Sequence, residues 1–254
     1  MKALIITVAG MSSRFSESVG YPCLKCLYNE EGPEESLLYR LLHMRGDFDF
    51  YVIVGGFRYK ELEAAIIEYF RDFGDRILLV ENVHYTDYGS GYSLYLGLEK
   101  IKEMDVTEIV FAEGDLYVDE GSFRKLCDCP ENAITCSREP ILAEKSVAFY
   151  FDMACGIHYI YDTTHGALEI REPFLGIFNS GQVWKFADMG RLWAVMGAIS
   201  EREWQGTNLV LIQRYFGTLS QCDYNMIVFK KWVNCNTVAD YRSRKDRTDV
   251  QLVL

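Results

Sequence analysis

The stretch that decides the fold reads Leu4-Ile5-Ile6-Thr7-Val8-Ala9-Gly10-Met11-Ser12-Ser13-Arg14-Phe15, and Lys25 follows it after a short, turn-prone linker. The apolar, β-branched run from Leu4 to Val8 predicts a buried strand. The strand leads into a loop of small residues that carries Arg14. Small side chains let backbone N–H groups approach a phosphate, and the two cations can then bind its oxygens. The stretch therefore predicts a phosphate-binding loop at the carboxyl end of a strand.

Two common nucleotide-binding patterns are excluded in this loop. A Walker loop needs Gly-Lys followed by Ser or Thr, and the dinucleotide fingerprint needs three glycines at fixed spacing. The loop has no Gly-Lys pair, and of the three glycines only Gly10 is present. If the loop binds phosphate, it therefore belongs to neither of these two types of phosphate-binding loop.

The loop resembles the signature of the nucleotidyltransferases that make activated sugars and alcohols, roughly A-G-x-G-x-R followed by P-K. In this sequence Ser12 stands where the signature has its second glycine, and Leu24 stands where it has proline. The resemblance implies that Arg14 and Lys25 are catalytic. It also implies that the loop binds the nucleotide through Ala9, Gly10, Met11, Ser12 and Ser13.

Composition limits the class of protein. The chain of 254 residues is 49% hydrophobic, which is enough for a large core and argues against disorder. A net charge of −11 argues against nucleic acid as a partner. The sequence shows no run long enough for a membrane span and no signal-peptide character. The eight cysteines then predict free thiols in a reducing cytoplasm.

Two cysteine pairs have the spacing of metal ligands. Cys23 with Cys26, and Cys127 with Cys129, would together supply the four thiolates of a zinc site. The alternative, which we favour, is that each pair fills apolar space beside a loop.

The order of apolar segments predicts an α/β fold. Strands are predicted over 50–54, 77–80 and 108–112, and each has a helical pattern near it in the chain. This alternation is typical of a Rossmann-like, doubly wound and mostly parallel sheet. Residues 121–178 predict a β-rich, acceptor-side insertion with strands at 133–136, 146–151 and 157–161, and 174–178 returns the chain to the main sheet. We further predict helices over 182–196 and 208–216, a strand over 226–229, a frayed tail beyond Asp240, and one domain over 1–254.

A second resemblance covers the segment from Asn82 to Leu94. Relatives that activate phosphocholine and similar alcohols carry N-x-x-Y and then N-N-x-x-S-L at this place. Asn82 and Ser93 match, whereas Gly89 and Ser90 stand where the two asparagines would be. The resemblance implies that Asn82 and Ser93 lie beside the nucleotide base. A glycine-rich turn before a helix is the alternative that the residues leave open.

The metal ligands are predicted from two further segments. Asp115 follows the strand over 108–112, and a hard cation such as Mg²⁺ prefers one or two carboxylates together with substrate phosphates. In the family, the metal-binding Asp follows a strand and a glycine in the same way. A stretch near the C-terminus resembles the family's W-x-E-I-D-T-x-x-D pattern, and the resemblance implies that Asn236 is the second Mg²⁺ ligand, with Asn234 as the next choice.

These residues predict transfer of a nucleotidyl group. By the resemblance, an acceptor phosphate or phosphonate oxygen attacks the α-phosphorus of a nucleoside triphosphate, and pyrophosphate leaves. Arg14 would stabilise the pyrophosphate and Lys25 the α-phosphate. No general base is needed, because the acceptor oxygen is already anionic at neutral pH.

The preferred interpretation is a cytidylyltransferase that joins CTP to phosphocholine or 2-aminoethylphosphonate. A cationic amine would bind aromatic faces and a carboxylate. The acceptor residues are predicted to be Tyr150, Glu172 and Trp184. A sugar-1-phosphate nucleotidyltransferase and a non-catalytic nucleotide-binding regulatory domain are the alternatives, and the sequence leaves the oligomeric state open.

Overall fold

The computed structural model describes residues 1–161 and 167–246, which form a central ten-stranded sheet with helices packed against it and a separate two-stranded sheet. The strands are β1 Lys2–Val8, β2 Phe50–Gly55, β3 Ile77–Glu81, β4 Glu108–Glu113, β5 Leu116–Val118, β6 Asn132–Ser137, β7 Ala148–Asp152, β8 Ile157–Ile160, β9 Phe174–Ser180, β10 Val183–Phe186, β11 Tyr224–Phe229 and β12 Trp232–Asn234. The helices are α1 Ser13–Val19, α2 Leu37–His43, α3 Tyr59–Tyr69, α4 Ser90–Ile101, α5 Glu120–Asp128, α6 Met189–Ala198, α7 Glu201–Trp204, α8 Leu209–Phe216 and α9 Val238–Asp246.

Strand β1 lies inside the parallel half of the central sheet. The strand order is β3-β2-β1-β4-β10-β6-β9-β7-β8, and β11 pairs with β6. Ile5 pairs in parallel register with Val52 of β2 and Phe111 of β4. Apolar clusters cover both faces of β1, which explains why its sequence is a continuous apolar run rather than an alternating one. The predicted Rossmann-like α/β fold is confirmed.

The second half of the sheet is mostly antiparallel, apart from the parallel pairing of β11 with β6, and contains the predicted insertion. Strands β6, β7, β8 and β9 match the strands predicted there, but they extend the central sheet instead of forming a separate excursion. The helix α5 between β5 and β6 was not predicted. Its short amphipathic pattern begins where Asp119 accepts a hydrogen bond from the backbone N–H of Ser122.

The helix predicted over 182–196 is wrong in its first part. The structure has strand β10 at Val183–Phe186 and begins helix α6 only at Met189. β10 lies between β4 and β6 and is buried on both faces, so its residues carry no alternating pattern that would identify a strand. The start of α6 is set by Asp188, whose side chain accepts a hydrogen bond from the backbone N–H of Arg191.

The tail predicted to fray beyond Asp240 forms helix α9 as far as Asp246. Tyr241 is buried, and its ring meets those of Phe15 and Tyr28 edge-on. The guanidinium of Arg244 is also buried and donates to Glu35 at 2.8 Å. Sequence alone missed this helix because its stability comes from contacts with the segment before α2, not from its own apolar pattern.

Among the helices in the described ranges, none is both long enough and apolar enough to cross a membrane.

Buried Lys185 on β10 joins three segments at the end of the sheet away from the β1 loop. Its ammonium group donates to the carbonyl oxygens of Cys127 and Cys129 at 2.8 and 2.5 Å and lies 2.9 Å from a Glu108 carboxylate oxygen. Lys2 pairs with the same carboxylate at 2.8 Å, but its side chain is 44% exposed against 1% for Lys185.

The two lysines form a matched pair for a stability test. We expect Lys185→Met to lower the free energy of unfolding by about 3 kcal/mol, because two buried carbonyls and part of a carboxylate lose their partner. Lys2→Met should cost less than about 1 kcal/mol, as is usual for an exposed ion pair. Urea unfolding of both variants checks this, and equal losses would contradict it.

Candidate active site

A pocket of about 190 Å³ opens at the carboxyl ends of β1 and β4. Its walls come from the β1 loop, the segment before α4 and the end of β4. The lining residues are Thr7, Val8, Ala9, Gly10, Ser12, Lys25, Cys26, Asn82, Tyr85, Tyr88, Gly89, Ser90, Ser93, Glu113, Gly114 and Asp115. In open α/β sheets ligands bind at this end, where the strand order reverses, and here the order reverses at β1.

Gly114 allows the ends of β1 and β4 to approach each other closely. Its N–H donates to the carbonyl of Thr7 at 3.0 Å. A Cβ at this position would lie 2.2 Å from a methyl carbon of Val8, which no side chain could accommodate without movement of the strand. The glycine therefore places Glu113 and Asp115, its neighbours in the chain, at the edge of the pocket.

Ser12 adopts a backbone conformation that normally favours glycine. Its φ is 54°, in the left-handed region, at the position where the family signature has its second glycine. The Ser12 hydroxyl accepts a hydrogen bond of 3.4 Å from the backbone N–H of Lys25. A glycine could not make this contact, so the serine links the β1 loop to the segment that carries Lys25.

Lys25 and Asp115 meet at one side of the pocket. The Lys25 ammonium lies 2.5 Å from one carboxylate oxygen of Asp115. The other carboxylate oxygen is buried and has no hydrogen-bond partner. The Asp115 carbonyl accepts from the N–H of Cys235 at 2.9 Å, next to the antiparallel pairing of β12 with β5. The C-terminal segment is thereby fixed beside the end of β4.

Arg14 reaches the same C-terminal segment from the other direction. Its guanidinium donates to the side-chain oxygen of Asn236 at 2.9 Å, although the two residues are 222 positions apart in the chain. The Asn236 amide in turn donates to the side-chain oxygen of Asn234 at 2.9 Å. Asn234, the second choice for a ligand, thus supports Asn236.

Asp115 and Asn236 have the chemistry of a Mg²⁺ site that is completed by a substrate. Among the residues that the structure describes, no three His, Cys, Asp or Glu side chains are grouped to hold a metal ion. Mg²⁺, however, usually takes only one or two protein carboxylates, with phosphates and water as its other ligands. The unpartnered oxygen of Asp115 fits that requirement, whereas the amide oxygen of Asn236 accepts from Arg14 and would have to exchange that partner for the ion.

Asn82, which also lines the pocket, is buried and held by two hydrogen bonds. Its amide donates to the Ser93 hydroxyl at 2.9 Å, and its oxygen accepts from the N–H of His84 at 2.9 Å. Tyr85 and Tyr88 line the same pocket. We refer below to this group, Asn82, Tyr85, Tyr88 and Ser93, as the aromatic end of the pocket.

The loop between α7 and α8 explains why glycine stands where the family has asparagine. The N–H of Gly89 donates to the carbonyl of Gln205 at 2.7 Å, and that of Gly91 donates to Gly206 at 2.9 Å. A Cβ at Gly89 would lie 2.3 Å from the Gly206 oxygen. An asparagine at position 89 would therefore collide with the loop.

The same loop brings a residue that the sequence analysis missed. Asn208 is buried, and its amide donates to a carboxylate oxygen of Glu113 at 2.9 Å. Burial, together with the negative charge of Asp115, raises the pKa of Glu113 to about 7. Glu113 directly precedes the Gly-Asp pair, which was a signal for its place at the strand end, but no sequence pattern indicated Asn208.

The other predicted site residues are distributed as follows. Ala9, Gly10 and Ser12 line the pocket, whereas Met11 and Ser13 are exposed on the same loop. Tyr150 and Glu172 are joined to each other by a hydrogen bond of 2.7 Å and are not among the lining residues.

The prediction that Trp184 binds the acceptor is wrong. Its indole is fully buried in the core, stacked on Phe111 at 5.4 Å between ring centroids, and its N–H donates to the hydroxyl of Tyr159 at 2.8 Å. The side chain is occupied in packing the sheet and is not available to an acceptor. The error follows from placing Trp184 on a helix, because strand β10 points it into the core instead.

The two cysteine pairs, Cys23 with Cys26 and Cys127 with Cys129, consist of free thiols. Cys26 and Cys127 are buried in one apolar cluster, where burial raises the pKa of each thiol to about 12. Such thiols are held in the neutral form.

Comparison with known proteins identifies the class to which this fold belongs. The inositol-1-phosphate CTP transferase from T. maritima superposes with a TM-score of 0.66 and 17% identity, over 96% of this chain and 95% of that one. The CTP:phosphocholine cytidylyltransferase from Streptococcus pneumoniae gives 0.66 and 16%, over 96% and 98%. A nucleoside-diphosphate-sugar pyrophosphorylase from Vibrio cholerae RC9 gives 0.62 and 15%, over 97% and 100%. The fold is that of the nucleotidyltransferases, as the sequence resemblance predicts.

The chain belongs to the family described as a domain of unknown function (DUF6564), whose model matches residues 21–248. No curated protein matches the sequence.

The raised pKa of Glu113 predicts a pH-dependent stability. Between the ordinary carboxyl pKa of 4.5 and about 7, the folded state holds a proton that the unfolded state has lost, so stability falls as pH rises through this range. Glu113→Gln removes this loss. The free energy of unfolding of the variant minus that of the parent should be about 1 to 2 kcal/mol larger at pH 8 than at pH 5. This range allows for contact of the carboxyl group with solvent in the pocket.

Urea unfolding at the two pH values measures this change. Glu81→Gln, at an exposed position at the end of β3, is the control. Its free energy of unfolding relative to the parent should be the same at both pH values. A difference for Glu113→Gln that is also independent of pH would show that the carboxyl group titrates normally.

Proposed function

We propose that the chain is a Mg²⁺-dependent nucleotidyltransferase that joins CTP to a small phosphorylated amino-alcohol or aminoalkylphosphonate and releases pyrophosphate. The observation that carries the proposal is the meeting of Lys25 with Asp115 in the pocket wall, next to a second contact between Arg14 and Asn236. Arg14 and Asn236 are not among the lining residues, but the N–H of Cys235, the neighbour of Asn236, donates to the Asp115 carbonyl at 2.9 Å and holds the two contacts close together. This is the set of groups that the nucleotidyltransferase signature requires.

The reaction needs positioning and charge neutralisation more than covalent help. An oxygen of the acceptor phosphate or phosphonate forms a bond to the α-phosphorus, and the bond from that phosphorus to the bridging oxygen of pyrophosphate breaks. Lys25 would bind the α-phosphate oxygens, and Arg14 would bind the departing pyrophosphate. Mg²⁺ held by Asp115 and Asn236 would supply further positive charge for both groups. The anionic acceptor needs no deprotonation.

Local cations are essential in this protein because the chain as a whole is acidic. A net charge of −11 opposes the approach of a triphosphate. Lys25 pairs with Asp115, so these two charges offset each other at the pocket wall. The approach of phosphates and a divalent ion would let the lysine exchange one anionic partner for another.

A cationic amine site at Tyr150 and Glu172 remains a prediction, because neither residue is among those that line the pocket. The Tyr150 hydroxyl donates to the Glu172 carboxylate at 2.7 Å, and the Tyr150 ring lies 6.1 Å from that of Phe174. Aromatic faces beside a carboxylate suit an ammonium or trimethylammonium group. Phosphocholine and 2-aminoethylphosphonate are therefore the first acceptors to test. A cytoplasmic location and a single domain over 1–254 remain predictions.

The test is pyrophosphate release with Mg²⁺ in a grid of CTP and UTP against phosphocholine, 2-aminoethylphosphonate and glucose-1-phosphate. We expect release with CTP and an amine acceptor. Asp115→Ala should reduce the rate about 10³-fold, because a charge-neutralising group is lost. The control Asp75→Ala, at an exposed carboxylate that precedes β3 and lies outside the lining segments, should leave the rate unchanged. Release only with glucose-1-phosphate would favour a sugar nucleotidyltransferase, and CTP binding without any release would favour a regulatory domain.

A substitution of Gly10 can test ligand binding without disturbing the fold. It has no positive φ, and a Cβ added there would meet no atom within 4 Å. We therefore expect Gly10→Ala to change the free energy of unfolding by less than about 0.5 kcal/mol. The added methyl group would project where a phosphate approaches the loop backbone, so CTP binding should weaken at least about tenfold.

Gly46→Ala is the matched control for this substitution. Gly46 also has open space around its Cβ position but lies outside the pocket. Calorimetric titration with CTP and urea unfolding of both variants check the prediction. Unimpaired CTP binding by Gly10→Ala would mean that the nucleotide does not contact this loop.

A further inference from the structure

Glu113 is a pocket-lining carboxylate that the proposed reaction does not use. It occupies the last position of β4, and the glycine that follows it separates it from Asp115. Its backbone N–H donates to the carbonyl of Gln182, so both the strand and its neighbour fix the start of its side chain. Its side chain is therefore held at the pocket wall, where a bound ligand would contact it.

Asn208 holds the Glu113 carboxylate in one orientation. The Asn208 amide donates to one carboxylate oxygen at 2.9 Å, and the backbone N–H of Asn208 donates to the Ser90 hydroxyl at 3.1 Å. Asn208 is only 1% exposed, and the loop that carries it is bonded to the start of α4. Because Asn208 donates to only one oxygen, the ionised carboxylate keeps acceptor capacity on its other oxygen.

Short connections link Glu113 to both groups of lining residues. On one side only Gly114, in the turn after β4, separates it from Asp115. On the other side Asn208 connects it to Ser90, which belongs to the same helix as Ser93 at the aromatic end. A nucleotide with its phosphates at Lys25 and its base at the aromatic end would place its sugar in between.

The charge of Glu113 restricts what it can bind there. In its ionised form the Glu113 carboxylate repels the phosphates and would face a hydrogen-bond donor of the ligand. In a nucleoside triphosphate the donors next to the α-phosphate, before the base is reached, are the ribose hydroxyls. Carboxylates bind ribose hydroxyls in this way in other nucleotide-binding folds.

We propose that Glu113, positioned by Asn208, binds the ribose hydroxyls of the nucleotide and so selects ribonucleoside over deoxyribonucleoside triphosphates. The inference rests on the proposed function, because it requires a nucleotide in this pocket. It adds a substrate-selecting residue and its positioning residue to that site.

The test is calorimetric binding of CTP, 2′-deoxy-CTP and 3′-deoxy-CTP in the presence of Mg²⁺. We expect the unmodified chain to bind CTP at least about tenfold more tightly than one or both deoxy analogues, as loss of a hydrogen bond to a charged group predicts. Glu113→Ala should abolish this preference, and Asn208→Ala should reduce it. Glu81→Gln, an exposed carboxylate outside the pocket, should keep the full preference.

The outcomes distinguish this inference from the proposed function. Binding of no nucleotide by the unmodified chain would overturn both. Equal binding of CTP and the deoxy analogues would overturn only the role of Glu113. A Glu113→Ala variant that keeps its preference for ribose but changes its preference between CTP and UTP would also overturn it, because the carboxylate would then face the base. Urea unfolding of each variant establishes that the chain is folded before binding is measured.

Discussion

The site depends on the close approach of two parallel strand ends. β1 and β4 can lie side by side as far as their last residues only because Gly114 presents no side chain to Val8. That contact sets the distance from the β1 loop to the Glu113 and Asp115 carboxylates. A bulkier residue would move the acidic groups away from Lys25, and the pocket would then lose the paired charges that make it fit for a phosphate.

Around this contact the chain balances charge locally. Each acidic or amide group near the phosphate side has a specific partner, as Asp115 has Lys25 and Asn236 has Arg14. The two partners of each pair lie on different segments of the chain, so the pairing does not depend on a single helix or strand. An acidic protein can in this way keep a small region that tolerates a highly charged ligand.

The sequence predicted the parallel half of the fold because its strands and helices follow regular apolar patterns. It failed at β10, since a strand buried on both faces has no alternation, and at α9, whose stability comes from Tyr241 and Arg244 contacting distant residues. For the site, short motifs placed Lys25 and Asp115 in the pocket wall. Asn208 could not be found, because only the folding of the α7–α8 loop onto Gly89 and Gly91 brings it there.

The bond between Arg14 and Asn236 also has a consequence for biosynthesis on the ribosome. The first strand and its loop emerge early, but the amide that completes their site emerges more than two hundred residues later. Lys25 meets its partner much sooner, because Asp115 follows it by 90 positions. The two cations of the first segment therefore acquire their partners at different stages of translation, and the side chain of Arg14 takes its folded orientation last.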